Sequence, residues 1–81
     1  MIFEADKKYL SVGYKQTMKA IIENRAKAVY IARDSEDKFF NSLKNAVETV
    51  SEVYYIDTMK ELGKLCGIEK GASCAVIVKH D

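Results

Sequence analysis

The sequence predicts an α/β fold, with a sheet covered by helices on both faces. Three observations predict it. Two short apolar runs, Ala28-Val29-Tyr30-Ile31-Ala32 and residues 73–78, lack the alternation of a half-solvated strand. Such runs suit strands buried on both faces. Phe39, Phe40, Leu43, Ala46, Val47 and Val50 recur at helical spacing, the strongest periodic signal in the chain. Segments of the two kinds alternate along the sequence, the order that layers helices on a sheet. The 81 residues make a single domain, 1–81. A chain this small buries only about 60–65% of its unfolded surface, so every apolar segment must join one core.

The elements follow in order. Residues 3–10 read as a short helix with Phe3, Lys7 and Leu10 on one side and Ala5 and Tyr9 on the other. Ser11-Val12 is a short strand or extended entry into Gly13, whose backbone freedom suits a tight turn. A second helix spans residues 15–24, with Met18, Ile21 and Ile22 as its inward stripe. Residues 28–32 form a central strand. Asp34 or Ser35 can cap the third helix, with Glu36 and Asp37 in its first turn. Val53-Tyr54-Tyr55-Ile56 is β-branched and aromatic, hence a strand. Thr58-Met59-Lys60-Glu61 fits a capping box, and Gly67 is a natural left-handed stop. Between them Met59, Leu62, Leu65 and Cys66 face inward. Residues 68–71 are a loop, and 73–78 a second central strand.

Composition narrows the function. A hydrophobic content of 48% argues against disorder. No apolar run approaches the roughly 20 residues needed to span a bilayer. Met1-Ile2-Phe3-Glu4-Ala5-Asp6 puts acids where a secretory signal carries bases. Cys66 and Cys74 fall in core segments and read as small buried hydrophobes. These features point to a reduced, cytoplasmic protein without a membrane partner. The cysteines lack zinc-ligand spacing, and the single histidine, His80, sits in the C-terminal tail. The acids from Asp34 to Asp37 lack the spaced pattern of a calcium loop and read as helix capping. With no nucleophile–base pair, metal cluster or phosphate loop, the chain reads as a non-enzyme needing no cofactor or metal.

One stretch stands out: Gly13-Tyr14-Lys15-Gln16-Thr17-Met18-Lys19. It reads as a glycine turn opening an amphipathic helix. Lys15 and Gln16 are neighbours of Lys19 on the helix surface. The open N–H groups and positive dipole end of a helix start favour an anion. Two ammonium groups, one amide and those N–H groups suit phosphates and guanine edges. The net charge is only +1. Binding needs a local patch rather than a basic total, however, and the charges look polarised. Acids gather at residues 34–37 and at Glu48, Glu52 and Asp57; lysines gather at residues 7–8, 15–19 and 60–64. Taken alone, the stretch is also an ordinary strand-to-helix turn with a solvated lysine face. Lys60 and Lys64 read as a solvated helix face. Tyr14 can stack on a base or cover the core edge. Tyr30, Tyr54 and Tyr55 read as core and edge residues of the sheet.

Three blocks of the chain resemble the L-seven-Ae/L-thirty-e ribosomal protein family, most closely its short bacterial YbxF-like members. They are Val12-Gly13-Tyr14-Lys15-Gln16-Thr17-Met18-Lys19-Ala20, Lys27-Ala28-Val29-Tyr30-Ile31-Ala32-Arg33-Asp34 and Glu61-Leu62-Gly63-Lys64-Leu65-Cys66-Gly67-Ile68. The last is the most specific, and the three lie in the family's order. The resemblance implies a three-layer α/β/α sandwich with a four-stranded mixed sheet. It implies binding to kink-turn RNA, a duplex sharply bent at a bulge beside tandem sheared G·A pairs. Gly13, Tyr14, Lys15, Gln16 and Lys19 would face the G·A pairs, and Ile68, Glu69 and Lys70 would contact or shape the bulge side. Ribosomal RNA is one candidate among structured RNAs, which makes ribosome association an expectation; a monomer is the default.

The chain departs from the family pattern in two places. Many members carry asparagine–glutamate where this chain has Lys15-Gln16; the lysine–glutamine version occurs in the bacterial and L-thirty-e branches. Lys70 replaces the second apolar residue of the loop, so charge attraction partly replaces packing there. The alternative reading is a protein-interaction module that keeps the fold without RNA binding. Its surface would be the acidic third-helix face or the sheet edge.

Overall fold

The computed structural model describes residues 4–79, with side chains from Asp6 onward. The first described element is a 3₁₀ segment, Glu4–Tyr9. Then follow β1 (Leu10–Val12), α1 (Tyr14–Ile22), β2 (Ala26–Ala32), α2 (Asp37–Ala46), a 3₁₀ turn Val47–Thr49, β3 (Glu52–Ile56), α3 (Met59–Cys66) and β4 (Cys74–Val78). The sheet order is β1-β4-β2-β3. β2 and β3 run parallel, while β4 is antiparallel to both of its neighbours, so the sheet is mixed.

The two predicted central strands are the central strands, and their residue alternation builds two cores. Ala28, Tyr30 and Ala32 of β2 and Ala75 and Ile77 of β4 point to one face, where they meet Leu62 of α3. Val29 and Ile31, with Cys74 and Val76, point to the other, where they meet Ala20 and Ile21 of α1 and Leu43 of α2. Helices therefore lie on both faces, in three layers. Leu62, Leu43, Val29 and Ile31 are fully buried. Each such side chain contributes about 1.5–3 kcal/mol relative to exposure. A register shift between Ala26 and Ala28 sets two β2 residues against one on β4. The shift explains why Ala26 packs on the α1/α2 face while Ala28 packs on the α3 face.

Four expectations need correction. The N-terminal helix is a 3₁₀ segment, and Leu10 belongs to β1; Phe3 lies outside the described residues, as does His80. α1 starts at Tyr14 and ends at Ile22, and Ile22 is 76% exposed rather than inward. Its buried stripe is Thr17, Ala20 and Ile21. Ile22 lies about 100° around the helix from Ile21 and misses that stripe. Asn24 then takes a left-handed φ of 58° and Arg25 N–H returns to the Ala20 carbonyl at 2.8 Å, so the helix stops. The periodic third helix ends at Ala46; the 3₁₀ turn carries Val47 into the core, and Val50 is already extended.

The fourth correction concerns caps. Neither Asp34 nor Ser35 caps α2, whose N-cap position is Glu36 with no side-chain bond. Ser35 instead donates to the Ala32 carbonyl at 2.8 Å. Asp34 accepts the Met59 N–H at 2.7 Å, at the start of α3. Thr58 caps the same helix as predicted, accepting from Glu61 N–H at 3.1 Å. Gly67 ends α3 in the left-handed conformation, φ 78°.

Candidate nucleic-acid interface

The sheet ends that carry the candidate site are the carboxyl ends of β2 and β3, the usual place for ligand sites on parallel strands. Chain segments converge there from β1, β2 and β3, and β4 departs. Gly13 follows β1 with φ 117° and ψ 157°, a region open in practice to glycine. Its N–H donates to the Cys74 carbonyl at 3.0 Å, which ties the turn to the first residue of β4. Its carbonyl accepts twice, from Thr17 N–H at 3.0 Å and from the Thr17 hydroxyl at 2.8 Å. Thr17 is fully buried, so this polar side chain spends its hydroxyl fixing the first turn of α1.

The fixed turn presents an open helix start. Among the described residues no side chain caps the first-turn N–H groups of α1, and no acid lies in that turn. Lys15, Gln16 and Lys19 are all exposed. The arrangement offers backbone N–H groups, an amide and two ammonium groups over one helix turn, all on a rigid support. Tyr14 behaves differently. It is half-buried and packs its ring 4.6 Å from the Phe39 ring of α2. That contact favours covering the core edge over stacking on a base.

The second part of the site is the loop after α3. It folds back along the helix that precedes it. Ile68 N–H donates to the Gly63 carbonyl at 3.0 Å, and Ala72 N–H to the Met59 carbonyl at 3.0 Å. Ala32 N–H donates to Ser73 at 2.9 Å, bringing the loop's far end to the β2 exit. Gly63 makes the return path possible: a Cβ there would overlap the Lys70 carbonyl and sit 3.2 Å from the Gly71 Cα. Ile68 packs against the α3-side core, while Glu69 and Lys70 are exposed. Since Ser73 leads directly into Cys74, which holds Gly13, the turn and the loop share one end of the sheet.

Sequence reasoning missed two residues at this end. Arg33, the first residue after β2, is exposed; its guanidinium lies over the Tyr55 ring, 5.4 Å from the centroid, and 3.7 Å from the Asp57 carboxylate. Its signal was its place as the first charge after a buried strand. Gly63 lay inside the matched block, but nothing local reveals that Lys70 passes over it. The cysteines are no candidates for nucleophilic chemistry. Both are free thiols, and burial pushes both above the ordinary thiol value. Among the described residues no group of His, Cys, Asp and Glu could hold a metal, and no helix is long and apolar enough to cross a membrane.

This geometry can be set beside known proteins. The family model described as "Ribosomal protein L7Ae/L30e/S12e/Gadd45 family" matches residues 3–81. "RNA-binding protein TTE2299" of Caldanaerobacter subterraneus is 47% identical over 68 residues, covering 83% of each chain. "RNA-binding protein YbxF" of Geobacillus stearothermophilus is 33% identical over 69 residues, covering 84% of each. Among solved structures, the "Giardia lamblia 15.5kD RNA binding protein" superposes with a TM-score of 0.78 at 26% identity. That superposition covers 91% of this chain and 63% of the other. These are names of ribosomal and RNA-binding proteins, not of enzymes. The fold and a family match across residues 3–81 lead to one conclusion: the chain belongs to the ribosomal protein L7Ae/L30e/S12e/Gadd45 family.

Proposed function

We propose that this protein binds structured RNA and stabilises the bent state of kink-turns, with the tandem sheared G·A pairs as its main recognition feature. The observation that carries the reading is the uncapped start of α1, where Lys15, Gln16 and Lys19 stand exposed on a turn held by Gly13, Thr17 and Cys74. Ammonium groups at Lys15 and Lys19 donate to guanine O6 or N7, the common basic contact with guanine. The Gln16 amide both donates and accepts, which suits an edge offering both. Ile68, Glu69 and Lys70 border the bulged nucleotides from the neighbouring loop. Tyr14 acts mainly as a brace. Relatives named as RNA-binding proteins support the RNA reading, and the family's ribosomal members make ribosomal RNA a natural target.

The mechanism is shape selection. The protein binds the bent RNA better than the extended form and shifts an equilibrium that already exists. A kink-turn labelled at its two helical ends tests this by fluorescence transfer. In low-magnesium buffer the RNA alone is mostly extended; added protein should raise transfer to a saturating plateau. Binding without a rise in transfer would contradict the mechanism. Recovery of partners from lysate before and after ribonuclease treatment separates the RNA reading from a purely protein-binding one. Retention of every partner after complete digestion would favour the latter.

A further inference from the structure

At the opposite end of the α3 face lies a groove of ≈ 420 Å³ lined by Asp6, Lys27, Tyr30, Glu52, Tyr54 and Ile77. Tyr30 and Tyr54 are register neighbours on β2 and β3, with ring centroids 5.1 Å apart and nearly parallel planes. Tyr30 is buried, whereas Tyr54 is 45% exposed, a large hydrophobic residue left open to solvent. The Tyr54 hydroxyl donates to Glu52 at 3.0 Å. That bond leaves the ring more electron-rich and raises the Tyr54 phenol above its ordinary value. Among the described residues the groove has one ammonium, Lys27, which lies 3.3 Å from Asp6. Glu52 has no cationic partner among the described residues and is exposed. The groove is therefore an aromatic wall with a carboxylate at its mouth.

The strand beside it has an open side. β3 is an edge strand: β2 pairs with one side, and no strand pairs with the other among the described residues. Its outer N–H and C=O groups are available to an added strand. Successive side chains of a strand alternate between faces, so every second residue of an added strand would point toward the Tyr54 face. We propose that the β3 edge and this groove form a docking site for an extended basic segment of a protein partner. The segment pairs with β3 and lays an arginine or lysine over Tyr54 beside Glu52. A cation over an electron-rich ring next to a carboxylate gains from both charges. Strand addition is an established way to take up extended peptides. The exposed Glu52 carboxylate opposes the approach of phosphates, which separates this surface from the RNA end. Glu52 lies four residues from Ile56, roughly 13 Å along the strand at about 3.3 Å per residue, so the carboxylate that would receive the cation stands apart from the RNA end.

The probe is a blocked hexapeptide of alternating valine and arginine, titrated into the ¹⁵N-labelled protein. The control peptide carries glutamate in place of arginine. The expected result is amide shifts centred on residues 52–56 and 27–30, with residues 13–19 unmoved. The arginine peptide should bind at least tenfold more tightly than the control. Glu52→Lys should remove that preference while leaving affinity for kink-turn RNA unchanged, which also shows that the variant folds. Three outcomes overturn the proposal: no shift up to millimolar peptide, equal binding of both peptides, or shifts centred elsewhere. So does a single-stranded oligonucleotide that moves the same amides, which would make the groove a nucleic-acid surface.

Discussion

At Gly13 an added Cβ would meet no heavy atom within 4 Å, whereas at Gly63 it would overlap the Lys70 carbonyl. Both glycines support the same end of the sheet, yet for opposite reasons. Gly13 is needed for its backbone angle, φ 117°, in a turn that faces open space. Gly63 sits inside α3 with ordinary helical geometry and is needed for the room it leaves. The turn is thus held by hydrogen bonds and leaves its outer surface clear. The loop has backbone hydrogen bonds too, but it lies flat on a helix and depends on the close approach at Gly63. The candidate interface therefore has one half that depends on a backbone torsion and one that depends on a close contact. The two halves should fail differently.

Gly63→Ala should give the largest effect. The clash is with backbone, so the loop must lift, at a cost of about 3 kcal/mol in stability by urea unfolding. A loss within about 0.5 kcal/mol would mean that the loop moves freely and that contact does not hold it. Gly13→Ala has space but the wrong torsion. It should cost about 1–3 kcal/mol, and the amides that shift should be those of residues 13–17 and Cys74, not those of the loop. Perturbation spread equally over both halves would erase the distinction between them. Lys19→Ala removes no structural contact and should leave stability unchanged. Kink-turn affinity should fall by about 1–3 kcal/mol if the side chain meets a base. Unchanged affinity would take Lys19 out of the site. Thr58→Ala and Asp34→Ala each remove one bond at the start of α3, the helix that carries the loop. Each should cost about 1 kcal/mol, with a smaller effect on RNA affinity. Affinity losses exceeding the stability losses would mean that these residues touch RNA themselves.

The same contrast marks what could be read from the chain. Local signals were legible. Thr58 and Gly67 bracket α3 as residue chemistry predicts, since a cap and its partner lie three residues apart. Gly13 and the exposed lysines after it were legible for the same reason. The two central strands were legible because burial on both faces leaves no polar alternation. Long-range pairings were not. Asp34 lies next to α2 in sequence but caps α3, twenty-five residues on. Ile22 extends an apolar pattern, yet the inward position belongs to Thr17, whose hydroxyl is satisfied by the Gly13 carbonyl. The room at Gly63 depends on a loop that returns only after the helix has ended. The groove at Tyr54 needs the register of β2 with β3 and the placement of Asp6, none of which a linear reading supplies.

The start of α1 is proposed to recognise sheared G·A pairs in a bent RNA. This is tested most directly by titrating the protein against a standard kink-turn and against the same RNA with both G·A pairs converted to Watson–Crick pairs, at fixed salt. Binding should be tight to the first and at least tenfold weaker to the second. Equal binding to both, or binding to neither, would contradict the proposal and leave the β3 edge as the surface to pursue.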